Sequence, residues 1–328
     1  MDRRRASDRG QPVTQPGHEA AWREWNAARS GARMHHAWIL AGKQGLGKRA
    51  FANAAARSLV GAEEGTQHPD ILTLTHPPKD DKEDRKRADG KPYERARSIR
   101  IAQIREMQRR LATRPTLGER RAIVIDPADD LERNAANALL KSLEEPPQGT
   151  FFLLVSHRPA RLLPTIRSRC RILRFAPVGE DAILAFLAEA APQSDEAARR
   201  AAAAGAGGSP GAALTFIEQE LAPVEELMRC LVREGDRDFA LRGRLVDAIG
   251  NRPDRTRLQA IFDLSRNVLR DEAVGAQGPT LAAVADAHAA MVALAAQAPT
   301  YNFDPGFLST EIGGLLASAA GHRSTADV

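Results

Sequence analysis

The chain has 328 residues, with 47 Lys and Arg against 42 Asp and Glu and a formal net charge of +5. An apolar fraction of 43% beside 27% charged residues is that of an ordinary globular protein and excludes disordered and fibrous classes, while the length predicts two or three domains. Two distant cysteines, Cys170 and Cys230, exclude a Cys-based zinc site and suit a reducing cytoplasm, and no run of about 18 apolar residues is read, so no membrane span is expected.

Residues 1–18 are basic and polar without an apolar stretch, which predicts a disordered tail rather than a secretory signal. A short helix is expected over 20–33, leading to a first strand at 37–40. His35 and His36 stand just before that strand. Adjacent strand residues point to opposite faces, so strand-edge packing is preferred to metal ligation. Next comes Gly42-Lys-Gln-Gly45-Leu-Gly47-Lys48-Arg49, opening an Ala-rich helix over 50–60. Gly42, Gly47 and Lys48 fit the G-x-x-x-x-G-K-[S/T] spacing, in which backbone N–H groups cradle phosphates, with Gly45 completing the turn. Arg49 does not fit. It stands where a Ser or Thr hydroxyl would hold Mg²⁺.

A second strand is expected after His68-Pro-Asp70, through Ile71, Leu72 and Leu74. Residues 77–98 are full of charge and nearly free of apolar side chains, which predicts a long solvated loop rather than a nucleic-acid arm. An amphipathic helix over 99–113 puts Ile101, Ile104 and Leu111 inward and Arg105, Arg109 and Arg110 outward. The β-branched run 122–125, ending at Asp126, and the run 151–155, ending at Ser156, read as buried parallel strands. Between them a helix over 134–145 stops at Pro146-Pro147. A short helix over 160–168 and a last strand over 170–175 complete an alternation that argues a doubly wound parallel sheet. From 178 onward the chain reads as Ala- and Leu-rich helices with Gly/Pro breaks.

An NTPase of this layout needs a phosphate loop, a Mg²⁺ ligand, an acid on a second strand, a carboxylate to position water, and a cation on the γ-phosphate. The loop and Lys48 are present. Asp126 ends the strand where the second acid belongs, although a turn or capping role fits it equally. Pro127 follows, where a catalytic Glu would act, and Asp129 and Asp130 come too late to replace it. Two losses at two strands favour a site that does not hydrolyse. Arg169, at a helix-to-strand junction, follows a late strand and cannot easily reach its own loop. It either serves a neighbouring subunit as an arginine finger or forms an ordinary surface ion pair, the simpler reading from spacing alone.

Taken together, His36-Ala-Trp-Ile-Leu40, the Gly-Lys-Gln-Gly-Leu-Gly-Lys loop, Ile123-Val-Ile-Asp126, Asn137-Ala-Leu-Leu-Lys141-Ser-Leu-Glu144-Glu-Pro-Pro147, Leu163-Pro-Thr-Ile-Arg-Ser-Arg-Cys170 and Gly208-Ser-Pro-Gly211 resemble bacterial clamp-loader AAA+ subunits. The resemblance is narrowest to the delta-prime kind, of DNA polymerase III, and covers about residues 34–220. It implies an α/β P-loop (AAA+) domain with a parallel sheet over 19–177, a small helical lid over 178–222 and an all-α collar over 223–328 that oligomerises. It also implies a stator without ATPase activity of its own inside a DNA polymerase holoenzyme. Its partners would be the gamma/tau and delta subunits, the beta sliding clamp and primer–template DNA, with no membrane. Arg169 then takes the trans-finger role toward ATP held by the neighbour, and no cofactor of the chain's own is expected. Many relatives carry a four-cysteine zinc module after the loop helix. Residues 52–67 hold no cysteine, and no sensor arginine follows Gly211. Arg105, Arg109 and Arg110 are candidate DNA contacts, against a plain solvated face. The alternatives are an active gamma/tau-like motor and a purely structural binding module.

Overall fold

The computed structural model describes residues 16–31, 34–63, 65–301 and 303–320. The expected tail over 1–18 lies outside the described residues except at its end, and there His18 is buried, not loose. The described chain divides into two compact units, with the division between Pro177 and Val178.

The first unit is a five-stranded parallel sheet with helices on both faces, the α/β P-loop (AAA+) arrangement expected. Its strands are β1 (Ala37–Ala41), β2 (Ile71–Leu74), β3 (Arg121–Ile125), β4 (Thr150–Ser156) and β5 (Arg171–Arg174), in the order β2-β3-β4-β1-β5. Every pairing is parallel, which requires a crossover between successive strands. The central strands β1 and β3 are buried at every position, which explains their continuous apolar runs. Side chains still divide by face. Ile39, Ile123, Ile125, Phe152 and Leu154 pack with Ile104 and Met107 of α4 (Ile101–Leu111) and Leu139 and Leu143 of α5 (Arg133–Glu144). On the opposite face Trp38 meets Trp25 of α1 (Glu19–Ser30), with ring centroids 5.4 Å apart, and Trp25 in turn meets Phe51 of α2 (Lys48–Val60) at 6.1 Å. His35 and His36 precede β1 and stack on each other at 4.7 Å rather than facing opposite ways, because they lie outside the pleated strand. Their role is structural: His36 Nε2 lies 2.9 Å from the carbonyl oxygen of Leu143.

The charged stretch 77–98 is not a simple solvated loop. It contains α3 (Asp81–Ala88), started by Asp80, whose side chain accepts a hydrogen bond from the Glu83 amide. Glu83 is buried, pairs with Lys86 and accepts the amide of Glu94, while Pro78 bridges to Arg95. Charges paired with one another build this element where apolar side chains are scarce.

The second unit is all-helical: α7 (Glu180–Ala190), α8 (Glu196–Gly205), α9 (Pro210–Glu218), α10 (Ala222–Glu234), α11 (Ala240–Ile249), α12 (Arg255–Gly275), α13 (Gly278–Tyr301) and α14 (Pro305–Ser318). Side chains of Asp195, Ser209, Asp254 and Asp304 cap α8, α9, α12 and α14. In α10 the buried Val224, Leu227, Met228 and Leu231 follow helical spacing and form one inward stripe. A single core runs through the stretches expected as lid and collar, from Ile183 and Phe216 to Leu269, Met291 and Leu316. Contrary to the sequence reading, one helix among the described residues is long and apolar enough to cross a membrane: the Gly278–Ala298 part of α13. Its many alanines raise hydropathy without bulk, and it inserts Val284, Ala287 and Met291 into the core.

Candidate functional site

The candidate site gathers at the carboxyl ends of β1, β3 and β4, where ligands bind open parallel sheets. The loop after β1 keeps its glycines for reasons of backbone geometry. A Cβ on Gly42 would sit 2.6 Å from the carbonyl oxygen of Phe175, and Gly47, the residue before α2, has φ +70°. Gly45 is likewise left-handed. Lys48 is buried, and its ammonium donates to the carbonyl oxygens of Gly42, at 2.7 Å, and Lys43. Burial draws its pKa down to about 8, against the opposing pull of Asp129 and Asp126. His18, with Nε2 2.8 Å from the carbonyl oxygen of Leu46, packs its ring edge-on against Phe51 and Phe175 and braces the loop from outside.

The two departures noted in the sequence meet in space. Arg49 Nε lies 3.5 Å from Asp126 Oδ2, so the residue in the hydroxyl's place is an ion-pair partner of the strand-end acid. Burial raises the Asp126 pKa, and Arg49 and Lys48 partly offset this. A Mg²⁺ ion would need oxygen ligands where a guanidinium stands. These residues therefore do not fit a Mg²⁺ site. Pro127, joined to Asp126 by a cis peptide, brings no carboxylate. Asp129 is turned to the end of β4, where its carboxylate accepts from the Ser156 hydroxyl at 2.8 Å and from the amides of His157 and Arg158. Asp130 pairs with His76 at 3.0 Å. His157 is held neutral, its pKa lowered to about 4, chiefly by burial and also by Lys48. Neither the Asp129 network nor the His18 brace was read from the sequence. Ser156 at a strand end was the one hint of the former. Among the described residues no group of three or more His, Cys, Asp and Glu could hold a metal ion.

Arg169 lies apart from this cluster, between α6 (Pro164–Arg167) and β5. Its guanidinium donates to Glu144 Oε1 at 2.6 Å, to the carbonyl oxygen of Thr165 at 2.9 Å and to the Ser168 hydroxyl at 3.3 Å. The side chain remains 35% exposed. Burial pushes the neighbouring Cys170 thiol up to about 12, which leaves it protonated and inert. The three outward arginines of α4 differ in their engagements. Arg109 pairs with Glu106, Arg110 donates to the carbonyl oxygen of Pro69 at 2.9 Å, and Arg105 is simply exposed.

A family model described as DNA polymerase III, delta subunit, matches residues 17–179. The chain is 35% identical over 231 residues to the DNA polymerase III subunit delta' of Pseudomonas aeruginosa, covering 64% of this chain and 65% of that one. It is 32% identical over 208 residues to the subunit of the same name from Escherichia coli K12, covering 58% and 57%. Over these stretches the chain is similar to DNA polymerase III delta-prime subunits. A more distant likeness, 29% over 238 residues, joins it to the gamma/tau subunit of Mycobacterium tuberculosis, covering 68% of this chain and 40% of that one. The matched stretches span less than two thirds of the length of these relatives. Within the stretch that the family model matches fall the loop, Asp126, Glu144 and Arg169, so every group described above belongs to the part of the chain that the model covers.

Proposed function

We propose that the chain is a non-hydrolysing, delta-prime-type clamp-loader subunit of DNA polymerase III. It acts with gamma/tau and delta subunits in the cytoplasm to load the beta sliding clamp on primed DNA. The observation that carries the proposal is the Arg49–Asp126 pair: one cation occupies both ends of the metal position, and Pro127 leaves water without a base. The chain's contribution is then a rigid frame plus Arg169, offered to the γ-phosphate of ATP on a neighbouring subunit. Exposed Leu281 and Val292 on α13 and Phe307 on α14 supply apolar surface suited to a collar of like subunits. Arg105 is the freest of the three proposed phosphate contacts to DNA.

The test is turnover by the purified chain alone, compared with the same chain mixed with its ATPase partner. The expected result is no magnesium-dependent hydrolysis above background from the chain alone. Arg49→Thr should leave that result unchanged, because restoring a hydroxyl does not restore the missing carboxylate. Steady turnover by the lone chain, abolished by Lys48→Ala, would support the motor reading instead.

A further inference from the structure

The Arg169 guanidinium is not free in the chain by itself. Its shortest contact is the 2.6 Å bond to Glu144, the last residue of α5. A carboxylate is a poor choice at that place, because it meets the negative end of the helix dipole. Just beyond it the Pro146-Pro147 stop prevents the helix from continuing. A cation beside Glu144 relieves this repulsion, and Arg169 is the cation the fold brings there from another element. Both side chains are partly exposed, 35% for Arg169 and 47% for Glu144, so the pair is weak and exchangeable. A phosphate offers the same fork of oxygens to the same fork of N–H donors, with more charge.

We propose that Glu144 is a positioning residue for Arg169: its carboxylate parks the guanidinium on the chain's own surface and releases it to the terminal phosphate of a nucleoside triphosphate on the adjacent subunit. This rests on the trans-finger reading of Arg169. Glu144 and that phosphate compete for one guanidinium, so Glu144 sets how much nucleotide the neighbour needs before the contact forms. The Thr165 carbonyl and Ser168 hydroxyl bind the other side of the guanidinium and keep it at the junction while the carboxylate is exchanged.

The experiment uses the reconstituted complex with primed DNA and sliding clamp, measuring ATP turnover against ATP concentration. Glu144→Gln, which keeps shape and removes charge, should lower KM for ATP about 1.5- to 5-fold, the range expected of an exposed ion pair, with a smaller change in kcat. The difference from the unaltered complex should shrink as salt rises toward about 1 M, where exposed pairs are screened. Glu144→Ala should act in the same direction, and thermal melting of each variant checks that it is folded. An unchanged or raised KM in both folded variants would overturn the proposal while leaving the finger reading intact. If Arg169→Ala has no effect on turnover, the finger reading fails and the role of Glu144 fails with it.

Discussion

Arg169→Ala in the full complex is expected to lower the partner's DNA-stimulated ATP turnover by about 10³-fold or more, the range attributed to arginine fingers supplied in trans. At 1.36 kcal/mol per tenfold, that is roughly 4 kcal/mol of transition-state stabilisation. The same substitution should barely disturb the folded chain. Its ion pair with Glu144 is more than one-third solvent-exposed on both sides, and such pairs contribute at most about 1 kcal/mol. A large kinetic loss with nearly unchanged melting would therefore locate the effect at the neighbour's site. Arg169→Lys separates charge from geometry. Lysine keeps the positive charge but loses the planar fork, so it should recover only part of the rate. A change of less than about threefold for alanine would place Arg169 among ordinary surface arginines and favour the purely structural reading of the chain.

The contrast between Arg169 and Arg49 was readable from sequence in kind but not in detail. Arg49 could be recognised as misplaced because loop chemistry fixes the residue type at that position. Its pairing with Asp126 could not, since it depends on β1 and β3 lying on either side of β4. The sheet itself was legible because buried parallel strands must be continuous apolar runs, and β3 and β4 have no other reading. The charged stretch 77–98 was misread for the converse reason. Its helix rests on a capping Asp80 and a buried Glu83 satisfied by Lys86 and the Glu94 amide, and no apolar period announces it. Glu144 looked like the plain end of a helix. Only the meeting of α5 and α6 gives it Arg169 as a partner. His18, counted with the tail, is buried by Phe51 and Phe175, which lie 33 and 157 residues further along the chain.

Asp70→Ala is expected to be the most destabilising single substitution in the α/β unit. Asp70 is fully shut off from solvent, and it accepts hydrogen bonds from the amides of Thr116, at 2.8 Å, and Leu117, at 2.9 Å. Arg121, only 3% exposed, donates to it from Nε at 3.2 Å and from Nη2 at 3.1 Å. The same guanidinium also donates to the carbonyl oxygens of Arg110, Thr113 and Arg114, so one ion pair ties the start of β3 to the chain between α4 and β3. Removing the carboxylate leaves a buried cation and two amides without their acceptor, which costs about 3–5 kcal/mol in comparable cases. For a unit of this size that corresponds to a fall in Tm of roughly ten degrees or more. Asp70→Asn, which keeps the volume, should recover little, because the uncompensated charge remains. Replacing both partners by leucine removes the uncompensated charge, yet it takes the acceptor from the Thr116 and Leu117 amides and the donor from the carbonyls of Arg110, Thr113 and Arg114, so it should still destabilise the unit. The pH dependence gives an independent check. Burial opposes the charged form, but the Leu117 and Thr116 amides and the Arg121 guanidinium outweigh it and hold the Asp70 carboxyl below its usual range. The unfolded chain thus takes up this proton at a higher pH than the folded one, so the stabilisation is complete above about pH 4 and declines as pH falls toward the lowered folded value. Acid titration of the melting transition should show that decline in the unaltered chain and a shallower one in Asp70→Asn. Equal acid slopes in the two chains would mean that Asp70 is not the group whose ionisation holds this corner of the sheet.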